Sequence, residues 1–420
     1  MLLMLKNYVY VLASLLIFTG CKSLNINKKM KSSFFENQFT GIYIYDVNAD
    51  KVVYNYNGTK YFTPASNVKI VTLFAGLELL SDSIPAFKYK VDKDTLTIQG
   101  TGDPTFLHPY FKDSTAFNMA KKYKKINMIT STIADKKYGP GWAWEDFDSY
   151  FSPERSAFPM YGNVLTIQNE NELKSTPTFF ENTIKITNKG YGREELLNNF
   201  YFDKNRTKET AIPMIIDSLL ITNLWNDLLP NKLNLIKESE IKPSKIAYSI
   251  PSDSLYKRMM NVSDNFLAEQ LLILASSTLS DTLSSENTID YMLANQLKDI
   301  KQKPRWVDGS GLSRYNLFTP NSLVQILTKM YKKIPRERLF SFFNIEGRSE
   351  VLKDGSSKDE LPYIFAKTGS LGNNYNLSGY ILTKTNKVLI FSFMNNHFMH
   401  SNAKIKEQMQ LIFKDLRDHY

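Results

Sequence analysis

A serine and a lysine three residues apart, Ser66 and Lys69, form a pair that could do nucleophilic chemistry in this 420-residue chain. A serine hydroxyl is a weak nucleophile unless a base takes its proton, and a lysine can be that base only if its amine is neutral. Residues i and i+3 lie on one face of a helix, so the amine can reach the hydroxyl. Ser66 also stands where a helix-capping residue is expected, before an apolar run.

The spacing of this pair is not unique, so the pair alone favours a helix cap with a solvated lysine. Three other pairs share it: Ser239 with Lys242, Ser254 with Lys257, and Ser401 with Lys404. Two motifs downstream distinguish Ser66. Residues 263–265 (SDN) stand at the predicted start of a helix, and residues 367–369 (KTG) open the predicted penultimate β-hairpin. The three motifs in this order indicate a single serine–lysine site.

With these motifs the sequence resembles the penicillin-recognising serine enzymes, and among them the low-molecular-mass class C penicillin-binding proteins. These form the D-alanyl-D-alanine carboxypeptidase/endopeptidase family, peptidase family S13. Four stretches resemble the family in its order: residues 63–69 (TPASNVK), 100–105 (GTGDPT), 308–313 (DGSGLS) and 377–380 (LSGY). The resemblance extends from about residue 38 to residue 396.

The resemblance implies the catalytic roles. Ser66 would attack the carbonyl between two D-alanines and form an acyl-enzyme, Lys69 would be the base, and Ser263 would relay the proton to the leaving amine. The backbone N–H groups of Ser66 and Ser370 would form the oxyanion hole. We expect no catalytic role for residues 308–313, whose glycines predict a fixed turn.

The resemblance also implies four substrate-binding residues. Asn265 would hydrogen-bond the substrate backbone, and Gly369 would leave room for the substrate beside the hairpin edge. Lys367 would attract the substrate's terminal carboxylate and, by its charge, keep Lys69 neutral, while Thr368 would contact the same carboxylate. Asp264, inside the second motif, is expected to be structural, at the helix start.

The function expected from the resemblance is a serine D-Ala-D-Ala carboxypeptidase, a DD-endopeptidase, or both. Its partners would be peptidoglycan stem peptides and β-lactam inhibitors, and it would need no cofactor or metal. Two alternatives stay open: a β-lactamase or esterase of the same fold, and a non-catalytic wall-binding lipoprotein. The β-lactamase would release a penicilloyl adduct quickly and the peptidase slowly.

The elements that must position these residues follow from periodicity. Residues 41–45 and 52–56 predict a β-hairpin, and the spacing of Val68, Val71 and Phe74 predicts a helix after Ser66. Further helices are predicted near residues 263–275, 321–331 and 403–417, and a second hairpin at 377–382 and 388–394. The fold class is α/β (α+β), β-lactamase/transpeptidase-like, with an antiparallel sheet flanked by helices and a mostly β insertion between the first and second motifs.

The predicted division of the chain places the catalytic domain in residues 34–88 and 246–420 and the inserted domain or domains in residues 89–245. Residues 1–20 resemble a lipoprotein-type signal peptide, because an apolar run of eleven residues, too short to span a bilayer, ends just before Cys21. Cys21, the only cysteine, is the expected lipidation site, and residues 21–33 are an expected tether. A plain signal peptide cut elsewhere is the alternative.

These features predict a periplasmic protein of the bacterial cell envelope, held to a membrane by its lipid. Lys and Arg outnumber Asp and Glu by 52 to 42. Near a lipid anchor the lysines at positions 28, 29 and 31 would favour an anionic membrane surface, but the sequence favours the simpler interpretation that they form a solvated surface. A nucleic-acid partner is not expected, because export would separate the chain from it and no nucleic-acid motif is present.

Overall fold

The computed structural model describes residues 26–130, 133–169, 172–188, 190–237, 242–346 and 362–420. The predicted signal peptide and Cys21 lie outside these residues. No helix among the described residues is long and apolar enough to cross a membrane.

A six-stranded antiparallel sheet joins the two ends of the described chain. Its strands are β1 (Phe39–Asp46), β2 (Lys51–Tyr56), β14 (Asn344–Glu346), β15 (Ile364–Leu371), β16 (Asn374–Leu382) and β17 (Val388–Asn396). The order is β14-β15-β16-β17-β1-β2, so the first hairpin pairs with the last strand. Every neighbouring pair in this sheet is antiparallel.

Helices cover both faces of this sheet. On one face lie α1 (Ile26–Met30) and α10 (Asn402–His419), whose buried side chains pack on apolar residues of the strands. On the other face a second apolar core contains α2 (Val68–Leu79), α5 (Ser252–Asn261), α6 (Asn265–Ser276), α7 (Ser285–Ala294), α8 (Pro320–Lys333) and α9 (Arg336–Phe340). An antiparallel sheet flanked by helices confirms the predicted fold class.

Short strands dominate the segment between α2 and α5. They are β3 (Ser83–Asp92), β4 (Thr95–Gly100), β5 (Lys125–Ile129), β6 (Val164–Asn169), β7 (Leu173–Thr176), β8 (Lys185–Thr187), β9 (Gly192–Arg193), β10 (Phe200–Asp203), β11 (Thr210–Pro213), β12 (Leu233–Ile236) and β13 (Lys245–Pro251). In the described part of this segment two α-helices accompany them, α3 (Thr115–Ala120) and α4 (Ser218–Leu228). The strands form one five-stranded and two three-stranded sheets.

The chain enters and leaves this β-rich segment through paired strands, because β3 pairs antiparallel with β13. The predicted boundaries at residues 88 and 245 fall inside β3 and at the start of β13. A separate apolar core lies among these sheets, with Phe106, Phe158 and Trp225 in mutual ring contact. Whether the segment folds as an independent domain stays a prediction.

The four helices and the two hairpins predicted from the sequence are all present, with ends that differ by a few residues. In α10 the side chains of Ile405, Met409, Ile412, Phe413 and Leu416 are buried. The expected tether differs from the structure, because α1 lies within residues 21–33. Its apolar side chains at positions 26 and 30 are buried against the core beneath α10, so packed structure begins at least as early as residue 26.

Candidate active site

Ser66 lies in a 3-10 turn, Ala65–Asn67, immediately before α2. The prediction that Ser66 caps this helix is wrong: Asn67 occupies the N-cap position, and the Ser66 hydroxyl lies beside Lys69 instead. Ala65 has a φ of 49°, in the left-handed region that non-glycine residues seldom adopt. Backbone strain of this kind persists only where surrounding contacts hold it.

Side-chain amides anchor the Ser66 turn to the large sheet. Asn376 on β16 donates from its Nδ2 to the carbonyl oxygens of residues 63 and 64, both at 2.9 Å. Asn67 donates to the carbonyl of Lys367 at 2.7 Å and accepts from Ser378 Oγ at 2.7 Å. The nucleophile candidate is therefore fixed to the strands that carry the third motif.

The Lys69 amine is buried and has three polar neighbours. Its Nζ lies 3.1 Å from Ser66 Oγ and donates at 2.7 Å to both Asn265 Oδ1 and the carbonyl oxygen of Ser310. The last two are acceptors only, so they use both N–H groups of a neutral amine. The remaining lone pair is then left for the Ser66 hydroxyl, which can donate to it.

The charge on Lys69 is disfavoured by its surroundings. Burial lowers the pKa of Lys69 from 10.5 to about 8, while the negative charges of Glu269, Asp308 and Asp264 raise it. This shift is worth about 3 kcal/mol against the charged form. Burial is the main cause that favours the neutral amine, and the contribution expected from the charge of Lys367 stays a prediction.

The second motif brings Ser263 and Asn265 to the same place. Ser263 has a φ of 59°, and α6 begins two residues later, where Asp264 Oδ1 accepts from the N–H of Leu267 at 3.0 Å. This confirms the structural role expected for Asp264. Asn265 Nδ2 donates to the carbonyl of Phe151 at 3.0 Å, which fixes the amide with its Oδ1 toward Lys69.

The third motif lies on β15, against the Ser66 turn. A Cβ on Gly369 would clash with the carbonyl oxygen of Pro64, so the close approach requires glycine here. Lys367 is 1% exposed, and its Nζ donates to the carbonyl of Thr368 at 2.9 Å. Ser370, two residues after Thr368, is exposed. The hairpin edge that the sequence predicts beside the substrate thus adjoins the nucleophile candidate.

A cleft of about 410 Å³ opens over these groups. Its lining includes Ser66 of the first motif, Ser263, Asp264 and Asn265 of the second, and Ser370, which directly follows the third. Lys69, Lys367, Thr368 and Gly369 are not among its lining residues, and Lys69 reaches it only through its contacts with Ser66 and Asn265. Cys21 lies outside the described residues.

Sequence reasoning missed the contribution of residues 308–313 to the site. Asp308 fixes this turn by accepting from the N–H groups of Gly311 and Ser313 at 2.9 and 2.6 Å. The turn presents the Ser310 carbonyl to Lys69. Every residue has a backbone carbonyl, so residue type does not reveal that the carbonyl of Ser310 contacts Lys69. Only the glycine-rich pattern could have indicated a special turn here. Gly311 has a φ of 83°, and a Cβ there would clash with the carbonyl of Ala65.

The antiparallel sheet and the converging serine–lysine, SDN and KTG segments are the arrangement expected of a penicillin-recognising serine enzyme. A model of the D-Ala-D-Ala carboxypeptidase 3 (S13) family matches residues 23–187 and 237–416. These segments make up well over half of the chain, and the chain belongs to that family. Membership confirms the family and the enzyme class predicted from the sequence.

Three comparisons with proteins of Haemophilus influenzae give the extent of the similarity. The D-alanyl-D-alanine carboxypeptidase DacB is 23% identical over 423 residues, which cover 86% of each protein. The crystal structure of penicillin binding protein 4 (dacB) is 20% identical, with a TM-score of 0.70 over 94% of this chain and 99% of that chain. The same protein complexed with a β-lactam gives a TM-score of 0.63 at 19% identity and the same coverage. At these identities the structures show a shared fold.

Proposed function

We propose that this protein is a serine D-Ala-D-Ala carboxypeptidase, a DD-endopeptidase, or both, acting on peptidoglycan stem peptides through an acyl-enzyme on Ser66. One observation carries the proposal. The buried Lys69 amine has two acceptors at 2.7 Å that use its N–H groups, and Ser66 Oγ at 3.1 Å faces the lone pair. This is the geometry of a general base beside its nucleophile.

Acylation begins when Ser66 Oγ attacks the carbonyl carbon of the peptide bond between two D-alanines and its proton passes to Lys69 Nζ. The tetrahedral intermediate carries negative charge on the former carbonyl oxygen. The backbone N–H groups of Ser66 and Ser370 stabilise this charge, a contribution of about 3 kcal/mol per donor in comparable sites. The placement of both residues on the cleft wall supports this role.

The C–N bond then breaks and leaves an ester on Ser66. The proton held by Lys69 returns through the Ser263 hydroxyl to the leaving nitrogen, which departs as the amine of D-alanine or of a cross-linked stem. Water attacks the ester, with Lys69 again accepting the proton, and releases the shortened peptide. Carboxypeptidase and endopeptidase reactions share these steps and differ only in the leaving amine.

Substrate recognition is assigned to Asn265 and to the third motif. The Oδ1 of Asn265 has a second lone pair beyond the one that Lys69 uses, so it can accept from a substrate N–H. Lys367 and Thr368 supply positive charge and a hydroxyl for the terminal carboxylate. Gly369 leaves the hairpin edge open to an extended substrate.

β-Lactams are proposed as covalent inhibitors, because the same attack opens their ring and leaves a penicilloyl ester on Ser66. The complex of the Haemophilus protein with a β-lactam supports this proposal. The lifetime of the ester separates the peptidase from a β-lactamase: we expect an adduct that persists during labelling, whereas rapid turnover would favour the β-lactamase.

The location proposed is the bacterial envelope, on the periplasmic side of a membrane. Residues 1–20 would be removed and Cys21 would carry the lipid. Four residues then separate the lipidated cysteine from α1, whose packing begins at Ile26. This short connection would hold the folded protein close to the membrane surface.

The experiment that tests the proposed function uses the full chain and purified wall fragments. Uncross-linked fragments ending in D-Ala-D-Ala and D-Ala cross-linked dimers are incubated with the enzyme or with Ser66→Ala and analysed by mass spectrometry. We expect loss of one alanine, cleavage of the cross-link, or both, and neither product from Ser66→Ala. An inactive wild type, or equal activity of the variant, would refute the proposal.

A further inference from the structure

Glu269 is a buried carboxylate next to the candidate site that the proposed mechanism does not use. It lies on α6, one turn after Asn265, and is 1% exposed. Its Oε1 accepts from the N–H of Ser310 at 2.7 Å. Ser310 is the residue whose carbonyl accepts from Lys69, so Glu269 contacts the turn that holds the proposed base.

Both peptide groups that meet at Ser310 are fixed by hydrogen bonds. Before Ser310, Glu269 accepts from its N–H, and Thr72 donates to the Gly309 carbonyl of the same peptide group at 2.6 Å. After Ser310, Asp308 accepts from the N–H of Gly311 at 2.9 Å. With both groups fixed, the direction of the Ser310 carbonyl is fixed as well.

Arg155, from the β-rich segment, faces the other oxygen of Glu269. Its Nη1 lies 3.7 Å from Glu269 Oε2, and that oxygen has no hydrogen-bond partner within the described part of the chain. Arg155 is itself buried and donates to the carbonyl oxygens of Lys136 and Tyr138, both at 3.1 Å. Burying a charged carboxylate lowers the free energy of unfolding unless a cation nearby compensates the charge.

We propose that Glu269, held in place by Arg155, is a positioning residue that fixes the Ser310 carbonyl on Lys69 and, through its charge, sets the pH at which Lys69 becomes a base. This inference rests on the proposed function, because it concerns the same lysine. It gives the β-rich segment a part in the site, since Arg155 comes from that segment.

The causes of the pKa shifts of Lys69 and Glu269 support an electrostatic interaction between the two side chains. The charge of Glu269 raises the pKa of Lys69, as do those of Asp308 and Asp264. Burial and, after it, the charge of Asp308 raise the pKa of Glu269 to about 7, although Arg155 and the bonds with Ser310 act to lower it. Removing the carboxylate charge therefore favours neutral Lys69 at a lower pH.

Two conservative variants separate the proposed geometry from the proposed charge effect. Glu269→Gln keeps an oxygen acceptor for the Ser310 N–H and removes the charge. Glu269→Asp keeps the charge but shortens the side chain by one methylene, which moves the carboxylate away from the N–H of Ser310. Asp103→Asn is the matched control, because Asp103 is also a buried carboxylate in a turn but is not among the charges acting on Lys69.

The readout is the rate of covalent labelling by a fluorescent penicillin between about pH 6 and pH 9.5, a range that brackets the lysine titration. For Glu269→Gln we expect the midpoint of the acid limb to fall by about half a pH unit or more, with the plateau rate kept within severalfold. For Glu269→Asp we expect an unchanged midpoint and a plateau at least about tenfold lower. Asp103→Asn should change neither quantity.

An unchanged midpoint in Glu269→Gln together with an unchanged plateau in Glu269→Asp would overturn the inference. Melting curves identify any variant that fails to fold, and the other variant then decides the result. Failure of the proposed function is distinguishable, because in that case the wild type itself would not be labelled at Ser66.

Discussion

Gly311→Ala should disable the candidate site although no side-chain group of residue 311 takes part in the proposed reaction. Gly311 has a φ of 83°, and a Cβ there would clash with the carbonyl of Ala65 and lie 3.1 Å from the backbone nitrogen of Ser66. Backbone atoms cannot rotate away as a flexible side chain can. The alanine must therefore displace either the 308–313 turn, which presents the Ser310 carbonyl to Lys69, or the turn that carries Ser66.

Gly311→Ala is expected to lower both the free energy of unfolding and the rate of acylation. Placing alanine at this φ costs about 1 kcal/mol, and the overpacking adds about 1–3 kcal/mol. A displacement near 1 Å at Ser66 would slow acylation by about a hundredfold. Gly190→Ala is the matched control: its φ is 75°, and no described atom lies within 4 Å of the added Cβ. In this control the free energy of unfolding should fall only by the conformational cost of placing alanine at a positive φ.

The assay compares the labelling rate by fluorescent penicillin and the unfolding midpoint for both variants and the wild type. We expect Gly190→Ala to label at the wild-type rate and Gly311→Ala to label about a hundredfold more slowly while still folded. If Gly311→Ala labelled at the wild-type rate, the proposal that these two turns jointly position the nucleophile would be refuted.

Three further predictions use simple measurements. Because the pKa of Lys69 is lowered to about 8, the labelling rate should rise about tenfold from pH 6 to pH 7 and level off above pH 8; a flat profile would exclude Lys69 as the base. Asp264→Ala should lower the free energy of unfolding by about 1 kcal/mol through loss of the cap on Leu267, while Asp264→Asn should not; equal losses would contradict the cap. Cys21→Ser should abolish incorporation of a labelled fatty acid; retained labelling would disprove lipidation there.

The sequence predicted those parts of the fold that follow from local periodicity. The hairpin of β1 and β2 and the pair β16 and β17 lie where β-rich runs separated by turn residues predict them. In α10 the buried side chains recur at helical spacing, as the sequence pattern indicates. The packing of α1 was not predicted, because two apolar residues one turn apart, Ile26 and Met30, give too little pattern to reveal contact with a distant helix.

Site residues that belong to a known motif could be predicted from the sequence, whereas backbone groups that contribute to the site could not. Ser66, Lys69 and Asn265 stand in recognisable motifs, and the structure brings them together. The Ser310 carbonyl could not be singled out, because its role depends on how the turn lies against α6. Glu269 belongs to no recognised motif, and only the structure shows that it is a buried carboxylate on a largely apolar helix.

The central claim is that Ser66 Oγ is the nucleophile and that Lys69 takes its proton. The most direct test is to incubate the full chain with benzylpenicillin, digest it, and locate the penicilloyl group by mass spectrometry. We predict one modified peptide, containing Ser66, and no adduct in Ser66→Ala. An adduct on a peptide containing Ser254 or Ser401 instead, or an undiminished adduct in Ser66→Ala, would contradict the claim.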